Sequence, residues 1–213
     1  MTAMIPSRYN TSDAVPGPVD VVYTVLEVTI AVPTIVGNTL VLIVFFKYRK
    51  LRTVTNYYVM SLAVADLLVG LVGIPSAILV SVGLPRDFHL CLVMSSLLMC
   101  LCTGSIFSLV AVSVDRYWAI LHPLAYRNKL TRANAVVNIV VCWFLATVIG
   151  ILPLAGWNAG KPREARCYFL EVIDTRYLVF IYFVTIIGPS LVISAVYTRI
   201  YMVVRSQVSG AGC

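Results

Sequence analysis

The feature that most constrains the fold is the stretch from Cys91 to Val114, 24 residues without a charged side chain. As an α-helix with a rise of ~1.5 Å per residue, it would extend about 36 Å, more than the ~30 Å hydrocarbon core of a bilayer. The stretch ends at Asp115 and Arg116, a charged pair suited to a membrane surface. We therefore interpret residues 91–121 as a membrane-spanning helix with a charged end.

Composition places the whole chain in the same class. Hydrophobic residues make up 60% and charged residues 12% of the sequence, whereas soluble domains carry roughly 25% charged residues. The apolar runs are continuous, which favours helices over the alternating strands of a membrane barrel. The sequence shows no phosphate-binding glycine loop, no HExxH motif and no Cys/His set with metal-ligand spacing. We expect an all-α membrane protein that is not an enzyme and needs no cofactor.

Hydropathy divides the chain into two tails and five spans. Residues 1–18 form a polar tail, in which Asn10 begins an Asn-Thr-Ser glycosylation acceptor. Residues 205–213 form the other tail. The transmembrane bundle covers residues 19–204, with helices predicted at residues 19–46, 54–80, 91–121, 133–154 and 176–204.

Charge sets the predicted orientation of the bundle. The connections on one side carry ten basic residues and one acidic residue, whereas those on the other side carry six of each. Because positive charge accumulates on the cytoplasmic side, the N-terminal tail is predicted to be extracellular and residues 205–213 cytoplasmic. The basic residues thus indicate a multi-pass plasma-membrane protein in contact with the lipid bilayer, not one that binds nucleic acid.

Two acidic residues lie inside spans and need an explanation. Asp66 is in the middle of the second span, where a carboxylate costs roughly 2.5–3.5 kcal/mol unless it faces polar partners. Asn38 and Ser105 are the candidate partners, and the cluster either holds a cation such as Na⁺ or is a structural hydrogen-bond cluster, with Asp66 protonated as a third alternative. Glu27 either reaches the outer surface or orients a residue near a ligand pocket.

Cysteines and prolines add two expectations. Cys91 and Cys167 both fall on the predicted outer side, where a disulfide can form and would tie the second outer loop to the third span. Prolines interrupt or end several spans, which favours kinked helices around an interior cavity; they are Pro33, Pro75, Pro153 and Pro189.

The order of these motifs resembles the rhodopsin-like class (class A) of G-protein-coupled receptors. The matching residues are Gly37-Asn38, Leu62-Ala63-Val64-Ala65-Asp66, Cys91, Asp115-Arg116-Tyr117, Trp143, Cys167, Pro189 and Tyr197. Within that class the chain is most similar to adenosine receptors. That similarity rests on Val54–Tyr58, Ser105–Leu109, Leu154–Asn158, Cys167-Tyr168-Phe169 and Tyr177–Phe180.

The resemblance implies a seven-helix bundle, of which this chain carries five helices, that binds an extracellular small molecule and a heterotrimeric G protein. The ligand-binding residues implied are Phe169, which would stack on the ligand, with Leu98, Met99, Thr103, Leu178 and Glu27. An allosteric Na⁺ would bind at Asp66, Asn38 and Ser105. Activation and G-protein contact are implied for Asp115, Arg116, Tyr117, Pro123, Leu124 and Tyr197, with Arg116 released from Asp115 on activation.

Three departures from the adenosine-receptor pattern keep alternatives open. Cys102-Thr103 stands where that family has Thr-Gln, and Leu170 stands where several members have Glu. Spans 6 and 7 do not occur within these residues. The alternatives are therefore a truncated receptor form that does not signal alone, or a class A receptor for a different ligand such as a lipid or a peptide.

Overall fold

Five long helices dominate the computed structural model, which describes residues 20–123, 126, 131–161 and 166–210. We label them α1 to α5: Val21–Lys47, Val54–Ser81, Phe88–Leu121, Arg132–Ile151 and Thr175–Gln207. Each is long and apolar enough to cross a membrane. The all-α membrane fold predicted from the sequence is confirmed.

The three helices that begin on the predicted outer side start with the same kind of cap. The N-cap residues are Asp20 for α1, Asp87 for α3 and Asp174 for α5. Each carboxylate accepts a hydrogen bond from a backbone N–H two or three residues later, at 2.6–3.1 Å. This pairing satisfies a free N–H group and places negative charge at the positive end of the helix dipole. The Asp87 cap is also why α3 begins three residues before the predicted start at Cys91.

Three of the four prolines predicted to interrupt or end helices do so, whereas α1 continues as an α-helix through Pro33. A π-helical stretch, Val69–Gly73, precedes Pro75 in α2, and a second, Phe183–Ile187, precedes Pro189 in α5. Proline has no N–H and its ring crowds the preceding turn, so a local widening accommodates it. The helix α4 ends at Ile151, ahead of Pro153 and before the predicted end at residue 154.

The helix α3 lies at the centre, in contact with α2, α4 and α5. Small residues allow α3 and α4 to approach closely: a Cβ atom added at Gly104 would lie 3.6 Å from the Trp143 ring, and one at Gly150 would overlap Cys100. The hydrophobic effect does not drive helices together in lipid, so membrane helices commonly associate by close van der Waals packing through small residues. The Trp143 indole also donates to Ser61 Oγ at 3.1 Å, which links α4 to α2.

A disulfide holds the second outer loop against the bundle. Cys91 on α3 is bonded to Cys167, with their Cα atoms 5.7 Å apart, so the predicted bridge is confirmed. The Cys167 N–H donates to the Gly83 carbonyl at 3.1 Å. Gly83 has φ +81°, and a Cβ there would lie 3.3 Å from the Tyr168 ring. Positive φ and close approach both favour glycine at this position.

Candidate functional sites

A cavity of about 360 Å³ lies at the predicted outer end of the bundle, under the second outer loop. The disulfide holds the loop against α3, and Phe169 of the loop lines this cavity together with Leu98 and Met99 of α3. Phe169 begins a one-turn helix, Phe169–Val172, two residues after Cys167. The structure thus brings together three residues that the sequence suggested for ligand contact. The volume falls within the ~300–1,000 Å³ range of small-molecule sites.

The same cavity contains polar side chains that the sequence analysis missed. Ser95 is 1% exposed and lines the cavity, and its hydroxyl has no hydrogen-bond partner among the described residues. Tyr23 and Tyr168 also line it. Ser95 lies three and four residues before Leu98 and Met99, so helical spacing would have placed it on the same face. A buried hydroxyl without a partner favours a ligand that can hydrogen-bond.

Three other residues predicted for this site lie outside the cavity wall formed by the described residues. Thr103 is fully buried further along α3. Leu178 packs against the cluster of buried residues around the disulfide. Glu27 is half-buried on α1 and interacts with Tyr23, which does reach the cavity. Glu27 is therefore placed to orient Tyr23, and the binding roles of all three remain predictions.

The predicted polar cluster forms only in part. Ser105 Oγ donates a hydrogen bond to Asp66 Oδ1, so α2 and α3 share a polar pair in the middle of the bundle. Asn38 does not join this pair in the expected way, because its amide donates to the Thr34 carbonyl of its own helix at 2.9 Å. Asp66 is half-buried and offers carboxylate oxygen, the ligand type that hard cations prefer.

At the other end of α3, Asp115 has a different partner from the one expected. Its side chain is 4% exposed, and Oδ1 accepts a hydrogen bond from the Tyr126 phenol at 3.0 Å. The Tyr126 phenol also lies 3.0 Å from Thr55 Oγ1 of α2. Burial raises the pKa of the Tyr126 phenol. The hydrogen bond with Thr55 lowers this pKa, whereas the nearby Asp115 carboxylate raises it further. The phenol is therefore protonated at neutral pH and can donate its hydrogen. The described partner of Asp115 is therefore Tyr126, which follows α3, and not Arg116.

Arg116 is exposed and lines a cleft of about 780 Å³ at this end of the bundle. Basic side chains from two other regions share this cleft: Arg49, Lys50 and Arg52 between α1 and α2, and Arg132 at the start of α4. The predicted ion pair between Arg116 and Asp115 is therefore wrong: Asp115 pairs with Tyr126, and Arg116 lines the cleft. Adjacent helix residues point about 100° apart, and here the acid turns inward while the base turns to the cleft.

The remaining predicted residues are placed as follows. Tyr117 is partly buried beside the rings of Trp118 and His122, with centroids 6.4 and 6.3 Å away. Pro123 is exposed just after α3, and Tyr197 is 52% exposed on α5. Leu124 and Asn10 lie outside the described residues.

Comparison with known proteins gives a consistent assignment. The family described as "7 transmembrane receptor (rhodopsin family)" matches residues 37–212. Adenosine receptor A2a of Homo sapiens is 38% identical over 200 residues, which cover 87% of this chain and 48% of that protein. Adenosine receptor A2b of Bos taurus is 38% identical over 205 residues, covering 88% of this chain and 62% of that protein.

The chain therefore spans about half to three-fifths of the length of these relatives. The family match covers most of the chain, and its apolar helices, disulfide and motif order agree with it. The chain belongs to the rhodopsin family of seven-transmembrane receptors and is similar to adenosine receptors within it.

Proposed function

We propose that the protein is a receptor for an extracellular nucleoside of the adenosine type and acts through a heterotrimeric G protein. The observation that carries this proposal is the outer cavity, which Phe169 lines together with the apolar Leu98 and Met99. A cavity lined by an aromatic ring and aliphatic side chains is suited to a flat heterocyclic base. The unpartnered hydroxyl of Ser95 offers a hydrogen bond to a polar group of the ligand.

The positive-inside charge pattern supports the orientation that this function requires, with the cavity outside the cell and the cleft at Arg116 inside. An exposed arginine among four other basic side chains favours an acidic or carbonyl-rich partner segment. In this proposal, ligand binding at the outer end of α3 shifts the population toward a state in which the cleft admits the G protein. Tyr117, Pro123, Leu124 and Tyr197 are proposed to contribute to this step.

A labelled adenosine analogue tests the ligand assignment on the protein expressed from its complete reading frame in cell membranes. Replacement Phe169→Ala removes a ring whose burial and stacking contribute at least about 2 kcal/mol, which predicts roughly 30-fold weaker binding. Phe144→Ala is the matched control, because Phe144 is 65% exposed on α4. Surface expression is measured for both variants.

Unchanged affinity in Phe169→Ala would contradict the cavity assignment. Absence of nucleoside binding in the unaltered protein would instead favour the alternative of a receptor for a lipid or peptide. Residues 1–213 expressed alone form a second arm, with cyclic AMP as the readout; a ligand response in that arm would contradict the truncated-form hypothesis.

A further inference from the structure

In the described part of the chain, the polar side chains that line the outer cavity all carry a hydroxyl group. They come from four separate segments: Tyr23 of α1, Ser76 and Ser81 of α2, Ser95 of α3 and Tyr168 of the outer loop. Among the described residues, no charged side chain lines this cavity. A hydroxyl both donates and accepts hydrogen bonds, so this wall suits a neutral ligand group that does the same.

Two of these hydroxyls lie deep in the bundle. Ser95 is 1% and Ser76 7% exposed, on different helices. The Ser95 hydroxyl has no hydrogen-bond partner among the described residues. Ser81 differs from both, because it is exposed and its hydroxyl donates to the Ile78 carbonyl of its own helix at 2.8 Å. Ser95 and Ser76 therefore form the buried polar part of the cavity wall.

The geometry of α2 explains how Ser76 comes to share a cavity with α3. The π-helical stretch Val69–Gly73 adds a residue to one turn and so rotates the residues after it by about 100°. A Cβ added at Gly73 would lie 3.3 Å from Leu98 Cδ1, so α2 and α3 meet closely at this level. Gly73 precedes Ser76 by three residues and Leu98 follows Ser95 by three. The helices therefore meet about one turn further into the membrane than the two serines.

The chemistry of this wall restricts the ligand group that it can hold. A phosphate or carboxylate would need a cationic partner and an ammonium group an acidic one, and the described lining residues supply neither. The ribose of a nucleoside is neutral, and its hydroxyls can pair with serine hydroxyls in either direction. The apolar lining residues, Leu98 and Met99, together with Phe169, leave a separate surface for the base.

On the basis of the nucleoside function proposed above, on which this assignment rests, we propose that the ribose hydroxyls bind Ser95 and Ser76. The sugar then lies between α2 and α3, and the base packs against Phe169. A ligand hydroxyl supplies the partner that the buried Ser95 hydroxyl lacks within the described residues. The two serines thereby distinguish a nucleoside from a ligand that carries the same base without the sugar hydroxyls.

The test is competition against a labelled adenosine analogue, on the protein expressed from its complete reading frame in cell membranes. The competitors are adenosine, 2′-deoxyadenosine and 3′-deoxyadenosine, and the unaltered protein should bind each deoxy ligand about tenfold more weakly than adenosine. In Ser95→Ala and in Ser76→Ala, one deoxy ligand should bind within about twofold of adenosine, because the hydroxyl that it lacks no longer has a partner. Each comparison is made within one variant, so a general loss of stability or expression does not change it.

Ser96→Ala is the matched control. Ser96 is 2% exposed and its hydroxyl also lacks a described partner, but it does not line the cavity. This variant should discriminate against both deoxy ligands as strongly as the unaltered protein does.

Two kinds of failure are distinguishable. Equal binding of all three ligands by the unaltered protein, unchanged discrimination in Ser95→Ala, or the same loss of discrimination in Ser96→Ala would overturn the sugar assignment and leave the nucleoside function in place. Absence of adenosine binding to the unaltered protein would overturn the nucleoside function and the sugar assignment together.

Discussion

The close contact between α3 and α4 allows a quantitative prediction for Gly150→Ala. An ideal Cβ at Gly150 would lie 2.6 Å from Cys100 Cβ, 2.7 Å from its Cα and 2.8 Å from its N. Non-bonded carbon atoms pack at ~3.5–4.0 Å, so the two helices must separate by about 1 Å. Overpacking of this kind costs about 1–3 kcal/mol.

Gly37→Ala is the matched control, because Gly37 lies inside α1 and a Cβ there would meet nothing within 4 Å. Both variants replace glycine by alanine, which has a higher helix propensity. The stability gained from helix propensity therefore cancels when the two variants are compared. For a chain of 213 residues, 1 kcal/mol corresponds to about 2–4 °C in Tm. The Tm of Gly150→Ala is therefore expected to lie roughly 3–9 °C below that of Gly37→Ala.

Thermal unfolding in detergent, followed by fluorescence-detected size-exclusion chromatography, measures this difference. A Cys100→Gly change added to Gly150→Ala removes only the Cβ contact, since the backbone Cα and N atoms of residue 100 remain at 2.7 and 2.8 Å. We expect that double variant to recover only part of the lost Tm. Equal Tm values for Gly150→Ala and Gly37→Ala would refute the packing argument.

Three further substitutions test the polar contacts of the bundle. Tyr126→Phe leaves both oxygens of the buried Asp115 without a described donor, so thermal unfolding should show a loss of about 1–3 kcal/mol. If Asp66 binds Na⁺, sodium should raise the Tm of the unaltered protein. Ser105→Ala removes the hydroxyl that donates to the Asp66 carboxylate and should reduce that rise. A Tm that does not depend on sodium would contradict the cation site. Trp143→Phe loses one interhelical hydrogen bond and should cost about 0.5–1.5 kcal/mol in the same unfolding assay, whereas an unchanged Tm would show that the bond contributes nothing.

The membrane helices could be predicted from the sequence alone. Long charge-free runs lie in the hydrocarbon of the bilayer, where a helix satisfies every backbone N–H and C=O group within the same segment. The sequence also placed Cys91 and Cys167 on one side of the membrane, so their disulfide was predictable. It did not predict the hydrogen bond between Tyr126 and Asp115, which depends on how the chain turns after α3. Loop geometry of this kind follows from tertiary contacts, and no periodic pattern encodes it.

The two adjacent charges at the end of α3 show why sequence proximity misled the prediction. Successive helix residues differ by about 100° in direction, so only one of Asp115 and Arg116 can face the interior. A carboxylate has the shorter stem and can be paired by a phenol, whereas a guanidinium needs several acceptors to be buried. The inner position therefore suits Asp115, which links α3 to Tyr126 and through it to α2. Arg116 stays at the cleft, where it is exposed and forms no ion pair with Asp115, whose described partner is Tyr126.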